Sequence, residues 1–430
     1  MARNIAMYVI AHQPRRLKLP AQPIPQGASI EEITHCLFDE ALNERYFRKV
    51  ARECYYPATA HFLQLVRHGL KLSVGFSLSL LRQAERWEPS LIERFKTLVA
   101  EPNVELIGVE PYHSFTMLFD IPLFLQRMRW GRDELERIFG KRPAVTDTTE
   151  LCMSPAIYAA LEQAGFTGGF VDGRPWVMDW RESTHVYHHS GALKLLPRHL
   201  SLSDDVGYRF SNHSWEGFPL LANTYAQWLR DTPGDMALVG WDYETFGEHH
   251  RRETGIFEFL DHLPGELQRQ GAQTRTPSEI ISMHGDTSFH LPLPSFPSTW
   301  AGSGGLEFFL GNSAQQALFQ LMLQMHSLAQ LTRHPDLIDL ALWLEQSDNL
   351  HMIQWFERSN AEAEVSAYFT PREWWSLGAA GIIHEQQQVY HHFIHTMERF
   401  LPGSASAAGQ AHPKERELLL AEPGIEARYS

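Results

Sequence analysis

Short apolar runs alternate with stretches of helical spacing through the first half of the chain. Residues 4–11, NIAMYVIA, are apolar and rich in branched and aromatic side chains, the composition of a buried strand. The run ends at His12-Gln13-Pro14, where Pro14 has no N–H to donate and biases Gln13 away from helix. Helical patterns cover 29–42 and 55–68, and further strands are read over 71–77, 104–109 and 143–149, the last running into Glu150. Ser154 as N-cap, Pro155 at the first helical position and Gly165 as the stop define a helix, after which 169–172 reads as another strand. The apolar run 236–239 predicts a strand that gives way to a loop at Asp242 and Glu244, where Gly247 lets the chain turn.

Strands alternating with helices predict parallel pairing in an α/β arrangement. In such folds the working side chains collect at the carboxyl ends of the strands, and His12, His113, Glu150 and Asp242 all fall there. Residues 187–215 lack periodicity and read as a long irregular loop. Thr276 to Glu279 spells a capping box that restarts helix. From 306 the pattern becomes helical throughout, with apolar spacing of three and four over 306–331 and 336–356. A second capping box, Thr370 to Glu373, is expected to open a last long helix with Ile382, Ile383, Tyr390, Phe393, Ile394 and Met397 on its inner face. The implied division is a first domain over 1–285, a Pro-, Ser- and Gly-rich connection over 286–305, a helical domain over 306–401, and a disordered tail over 402–430.

Composition changes this picture mainly by exclusion. A formal charge of -14 on 430 residues argues against nucleic acid and anionic membranes as partners. No segment approaches the ~18 consecutive apolar residues of a membrane span, and the first residues lack a signal-peptide layout, so a cytoplasmic location is expected. Cys36, Cys54 and Cys152 form no CxxC pair, which points to neither a disulfide framework nor a thiolate zinc site. No metal and no cofactor are expected, and the oligomeric state is left open.

The stretch WDYETFGEHH, Trp241 to His250, holds the densest candidate chemistry. An arbitrary Asp at a strand end is most often a turn or cap residue. Strand spacing would point Asp242 and Glu244 to the same side, so spacing alone does not separate them. Glu248, His249 and His250 read as a solvated turn rather than a metal site, and a lone His is ordinarily a hydrogen-bonded core residue.

Five ordered blocks reverse these odds: AHQPRRL from Ala11, VELIGVEPYHS from Val104, DTTEL from Asp147, WDYETFGEHH from Trp241, and LWLEQSDNLHM from Leu342. Together the chain resembles glycoside hydrolase family 57, and within it the α-amylase-like group. The resemblance implies a distorted (β/α)7 barrel followed by an all-helical C-terminal domain. It further implies a retaining glycosidase cleaving α-1,4-glucosidic bonds in glycogen, starch-like glucans or maltodextrins. Glu150 aligns with the family nucleophile and Asp242 with its general acid/base, while His12, His113 and Asp348 align with residues that hold the sugar. Retention calls for two carboxyl groups about 5 to 5.5 Å apart. Aromatic rings are platforms for sugar faces, and Trp176, Trp215, Trp241 and Trp300 are the candidates, of which two at most are expected to touch substrate. Glu110, Thr148 and Asn349 depart from the group's pattern where substrate fit would be decided. A 4-α-glucanotransferase or branching enzyme with the same covalent intermediate, and a catalytically weak glucan-binding protein, are the alternatives. A metal-dependent deacetylase is a more distant one, suggested only by scattered histidines.

Overall fold

The computed structural model describes residues 4–401, so the expected disorder beyond Pro402 lies outside the described residues. Strand β1, Asn4–Ala11, is buried along almost its whole length because it has neighbours on both edges and side chains packed on both faces. One edge pairs in parallel with β2, Leu72–Phe76, which pairs with β3, Val104–Ile107. A single bridge, Gly108 to Thr146, joins β3 to the short β4, Val145–Thr146. Strand β5, Gly168–Asp172, continues the ring to β6, Lys194–Arg198, and β7, Met236–Asp242, closes it against the far edge of β1. The result is a closed barrel of parallel strands β1 to β7. It is distorted where β3 meets β4 and where β6 meets β7 through the one pair Arg198 and Leu238, because the strands there are too short or too divergent to pair further.

The reading of 187–215 as irregular is corrected, since it contains barrel strand β6 and a helix, Leu200–Gly207. Pro197 obscures the strand signal, and the helix is capped by the His199 ring rather than by Ser, Thr, Asp or Asn. The strand at 236–239 extends to Asp242, and Gly247 turns the chain at φ 122, where a Cβ would strike the Glu53 carbonyl.

The capping box at Thr276 forms as read, but the one at Thr370 does not. The Thr370 hydroxyl donates instead to the Met352 carbonyl at 2.7 Å, the next residues make a 3-10 turn, Arg372–Leu377, and the long helix is Gly378–Met397 with the expected six residues buried. Tertiary bonding has taken the cap. The helical run at 306–331 divides into Glu307–Leu310 and Ser313–Thr332, and the run at 336–356 breaks after Pro335–Leu344 into the short turn Asp348–His351.

One apolar core joins the helical region to the loops at the carboxyl ends of the strands. Met322, Met325, Tyr390 and Phe393 pack there with Tyr112 and Phe115 from the loop after β3. This seating brings residues 345–348 over the barrel mouth. The stretch 286–305 is more than a connection: its Ser298 and Met153 exchange backbone hydrogen bonds of 2.9 and 3.0 Å beside Glu150. Among the described residues no helix is long and apolar enough to cross a membrane, and the three cysteines are unpaired.

Candidate active site

Two side chains at the mouth stand on strained backbone. Glu150 (φ 59) follows β4 and His113 (φ 57) follows β3, both in the left-handed region that few residues other than glycine adopt. Their surroundings hold them there. The Trp300 amide donates to the Glu150 carbonyl at 3.0 Å, and the Thr148 hydroxyl donates to the Cys152 carbonyl at 2.7 Å across the turn. Glu110 accepts from the Tyr112 and Ser114 amides at 3.0 and 2.6 Å, bracketing His113, whose carbonyl accepts from the Ser347 amide at 2.9 Å. Thus Glu110 and Thr148 shape backbone. Asn349 does the same, donating to the Leu344 carbonyl at 2.9 Å. These three positions, expected to bear on substrate fit, bond chiefly to the backbone that carries the site.

The structure brings Glu150, Asp242, His12, His113, Asp348 and Trp300 together. The Glu150 carboxylate accepts from the Trp300 indole N–H at 2.6 Å and from the Ser347 hydroxyl at 3.3 Å, with the His113 Nδ1 at 3.9 Å. Burial pushes its pKa up to about 8 against the pull of the Trp300 bond, with the charges of Asp242 and Asp348 adding to the rise. Asp242 ends β7, and among the described residues no group donates to its carboxyl. Burial raises it to about 6, opposed by Arg198 and His12. The His12 ring bonds Asp348 at 3.0 Å and stacks on His113 at 4.2 Å. Burial works to raise Asp348, but His12, His113 and His351 hold it well below the ordinary carboxylate range, whereas burial lowers the His113 pKa to about 3.

Arg198 has no distinctive signal in the sequence. Buried at the end of β6, it donates to the Gly240 carbonyl at 3.0 Å, to Asp172 at 3.1 Å and to Asp204 at 2.8 Å, and its guanidinium lies 5.2 Å from the Trp300 ring centre. It therefore ties β5, β6 and β7 together at the loosest seam of the barrel while facing Asp242. Arg198→Gln is expected to cost about 3–5 kcal/mol of stability, because Asp172 and Asp204 lose a buried partner. A urea-unfolding midpoint unchanged from the parent would contradict this.

Two expectations fail here. Trp241, a candidate sugar platform, is 3% exposed and donates its indole N–H to the Ser203 carbonyl at 2.8 Å, so its ring is core; the strand's alternation turns it away from the side that Asp242 faces. His250 is not in a solvated turn: it is buried, bonded to the Ser211 hydroxyl at 2.6 Å and the Gly207 carbonyl at 3.1 Å. Trp215 is partly buried beside Trp228, 6.2 Å away, and Arg209. Glu244 separates from Asp242 because the strand stops and a 3-10 turn, Tyr243–Thr245, begins. Its carboxyl is buried and accepts from the Tyr55 hydroxyl.

Burial gives this chain several acids that hold protons late. Glu150 and Glu244 rise to about 8, Asp147 and Glu110 to about 7. The unfolded chain has released those protons at lower pH, so their contribution to stability is full below the usual carboxyl range and is lost as pH rises to about 8. His113 and His249, both lowered by burial to about 3, act oppositely, but their contribution is complete above about 6.5. The melting temperature is therefore expected to fall between pH 6.5 and 8.5, and Glu244→Gln to flatten that fall. A melting temperature that climbs over this range would refute the assignment.

His12, His113 and Asp348 each place one possible ligand atom within 4.8 Å of the others, close enough to surround a metal ion. An ion there would have to displace the His12–Asp348 hydrogen bond.

Comparison with known proteins supplies the family. The pattern of glycosyl hydrolase family 57 matches residues 6–294. A Methanocaldococcus jannaschii protein named "Putative alpha-amylase" is 32% identical over 356 residues, covering 79% of this chain and 74% of that protein. The 4-alpha-glucanotransferase of Thermococcus litoralis superposes with a TM-score of 0.64 at 15% identity over 94% of this chain, which spans 60% of that longer chain. A GH57 branching enzyme of Thermococcus kodakaraensis superposes at 0.62 and 13% identity, covering 94% of this chain and 97% of its own. At such identities the superpositions speak for the fold alone. With the family match spanning the barrel strands and four of the six site residues, the chain is a glycosidase belonging to glycosyl hydrolase family 57.

Proposed function

We propose that this chain cleaves α-1,4-glucosidic bonds in starch-like glucans, glycogen or maltodextrins with retention, using Glu150 as nucleophile and Asp242 as general acid/base. The reading is carried by the asymmetry between the two carboxyl groups: donors converge on Glu150, while none among the described residues occupies Asp242. A carboxylate that accepts hydrogen bonds is stabilised in its charged form, as an attacking group must be. A carboxyl free of protein partners can give its proton to a leaving oxygen.

Burial, even with the Trp300 and Ser347 bonds in place, orders the protons the other way, with Glu150 at about 8 and Asp242 at about 6. We assign the roles from the hydrogen bonds, because the two acids titrate as one coupled unit and the productive state needs only one proton between them. In that state a Glu150 oxygen attacks the anomeric carbon as the bond to the glycosidic oxygen breaks and Asp242 protonates the departing oxygen. Water, giving its proton to Asp242, then displaces Glu150. His12, His113 and Asp348 bind the hydroxyls of the sugar at the cleaved bond, Trp300 flanks it, and Trp215 stands further out.

The family and the relative named for amylase activity support an α-glucan as substrate. Release of reducing ends from soluble starch, glycogen and maltooligosaccharides tests the reading. Shorter products that accumulate with new reducing ends support hydrolysis; longer or branched products without them would replace it with transfer through the same intermediate.

A further inference from the structure

Trp176 and Phe296 are 40% and 60% exposed, yet their rings are not loose surface groups. They stack with centres 5.6 Å apart and planes 20° from parallel, and the Trp176 indole N–H is fixed by the Ser303 carbonyl at 3.1 Å. Gly304 (φ 97) makes the approach possible, since a Cβ there would collide with Arg174 and crowd the Trp176 ring. Phe296 also borders a groove of about 470 Å³ with Pro297, Leu306, Glu307 and Gln316 on its walls. A rigid aromatic face beside a carboxylate and an amide suits a pyranose ring, whose C–H face packs on the ring while its hydroxyls take hydrogen bonds at the rim.

The patch is tied to the site by a chain of contacts. Arg174, two residues before Trp176, pairs with Asp172 at 2.8 Å and donates to the Trp300 carbonyl, and the Trp300 indole meets Glu150. Phe296 lies four residues before Trp300 on the same segment.

We propose that Trp176 and Phe296, with the Glu307 and Gln316 groove, form an accessory sugar-binding platform for a glucan chain running out of the cleft. This deepens the glycosidase reading and rests on it. The platform serves long chains and is idle for short ones, which never reach it.

The test uses the full chain. In gels containing soluble starch, Glu150→Gln is expected to be retarded, and Glu150→Gln carrying Trp176→Ala and Phe296→Ala to lose about tenfold in affinity. With Glu150 intact, the same aromatic pair of substitutions should raise KM for starch about tenfold while leaving kcat and KM for maltotriose within twofold, and the conservative Phe296→Trp alone should keep the parental starch value. Unchanged maltotriose turnover also reports that the variant is folded. Unaltered retardation and starch KM would overturn the platform, and so would an equal loss on maltotriose. A wild-type chain that is retarded by starch in a Trp176- and Phe296-dependent way but cleaves no α-glucan would overturn the proposed function and leave the platform standing.

Discussion

Replacing Glu150 by Gln is expected to lower reducing-end release from starch and maltooligosaccharides by roughly three powers of ten or more. The amide keeps the size, its carbonyl oxygen can still accept from Trp300, and its NH2 can donate to the Ser347 hydroxyl, so the loop should hold its shape. What is lost is the attacking electron pair, and no neighbour replaces it: Asp348 is held by His12, and Glu244 faces Tyr55. Glu150→Ala offers a sharper reading. Added azide would enter the vacated space and displace the leaving group directly, giving a glycosyl azide of inverted anomeric configuration. A Glu150→Gln variant within tenfold of the parent would remove this residue from the chemistry, and Glu244→Gln is the matched control, expected to turn over nearly normally.

Asp242→Asn has the second largest expected effect, a loss of about 10²–10⁴ on natural glucans, whose leaving oxygen must be protonated as it departs. The loss should depend on the leaving group. An aryl glycoside with an acidic phenol needs no proton, so formation of the glycosyl-enzyme should stay close to the parental rate, and the intermediate should accumulate because water has lost its base. Asp242→Ala with azide should then give a glycosyl azide of retained configuration, opposite to the product expected with Glu150→Ala. Equal loss on aryl glycosides and starch would mean that Asp242 only positions the sugar. The alkaline limb of the pH profile offers a third check: in the parent it reflects proton loss from the coupled pair, and in Asp242→Asn it should disappear.

The elements that local chemistry can specify were legible. Strand β1 announces itself because both of its faces are buried, and the helix from Pro155 carries its own cap and stop. Elements stabilised from outside were not. Strand β6 contains Pro197 and survives through its partners β5 and β7, and the anticipated cap at Thr370 is diverted to Met352 by packing that no local pattern records.

At the site, the separation of Asp242 from Glu244 required knowing where β7 stops, since continued strand would have aimed both the same way. The roles of Glu110, Thr148 and Asn349 were hidden for a related reason. Each is polar and close in sequence to a site residue, but its bonds run to backbone that positions others.

By itself the sequence determined the alternation of strands and helices, the order of the family's blocks, and the residues His12, His113, Glu150, Asp242 and Asp348 as a set, because each is written in residue types and short spacings. Only the tertiary structure decided what those residues do to one another. The hydrogen bond from Trp300 to Glu150 spans 150 positions, the His12–Asp348 contact 336, and the bracing of β7 by Arg198 through the Gly240 carbonyl 42. Contacts of that separation depend on closing the barrel and seating the helical region over its mouth, and burial then sets their charges; neither process leaves a local trace.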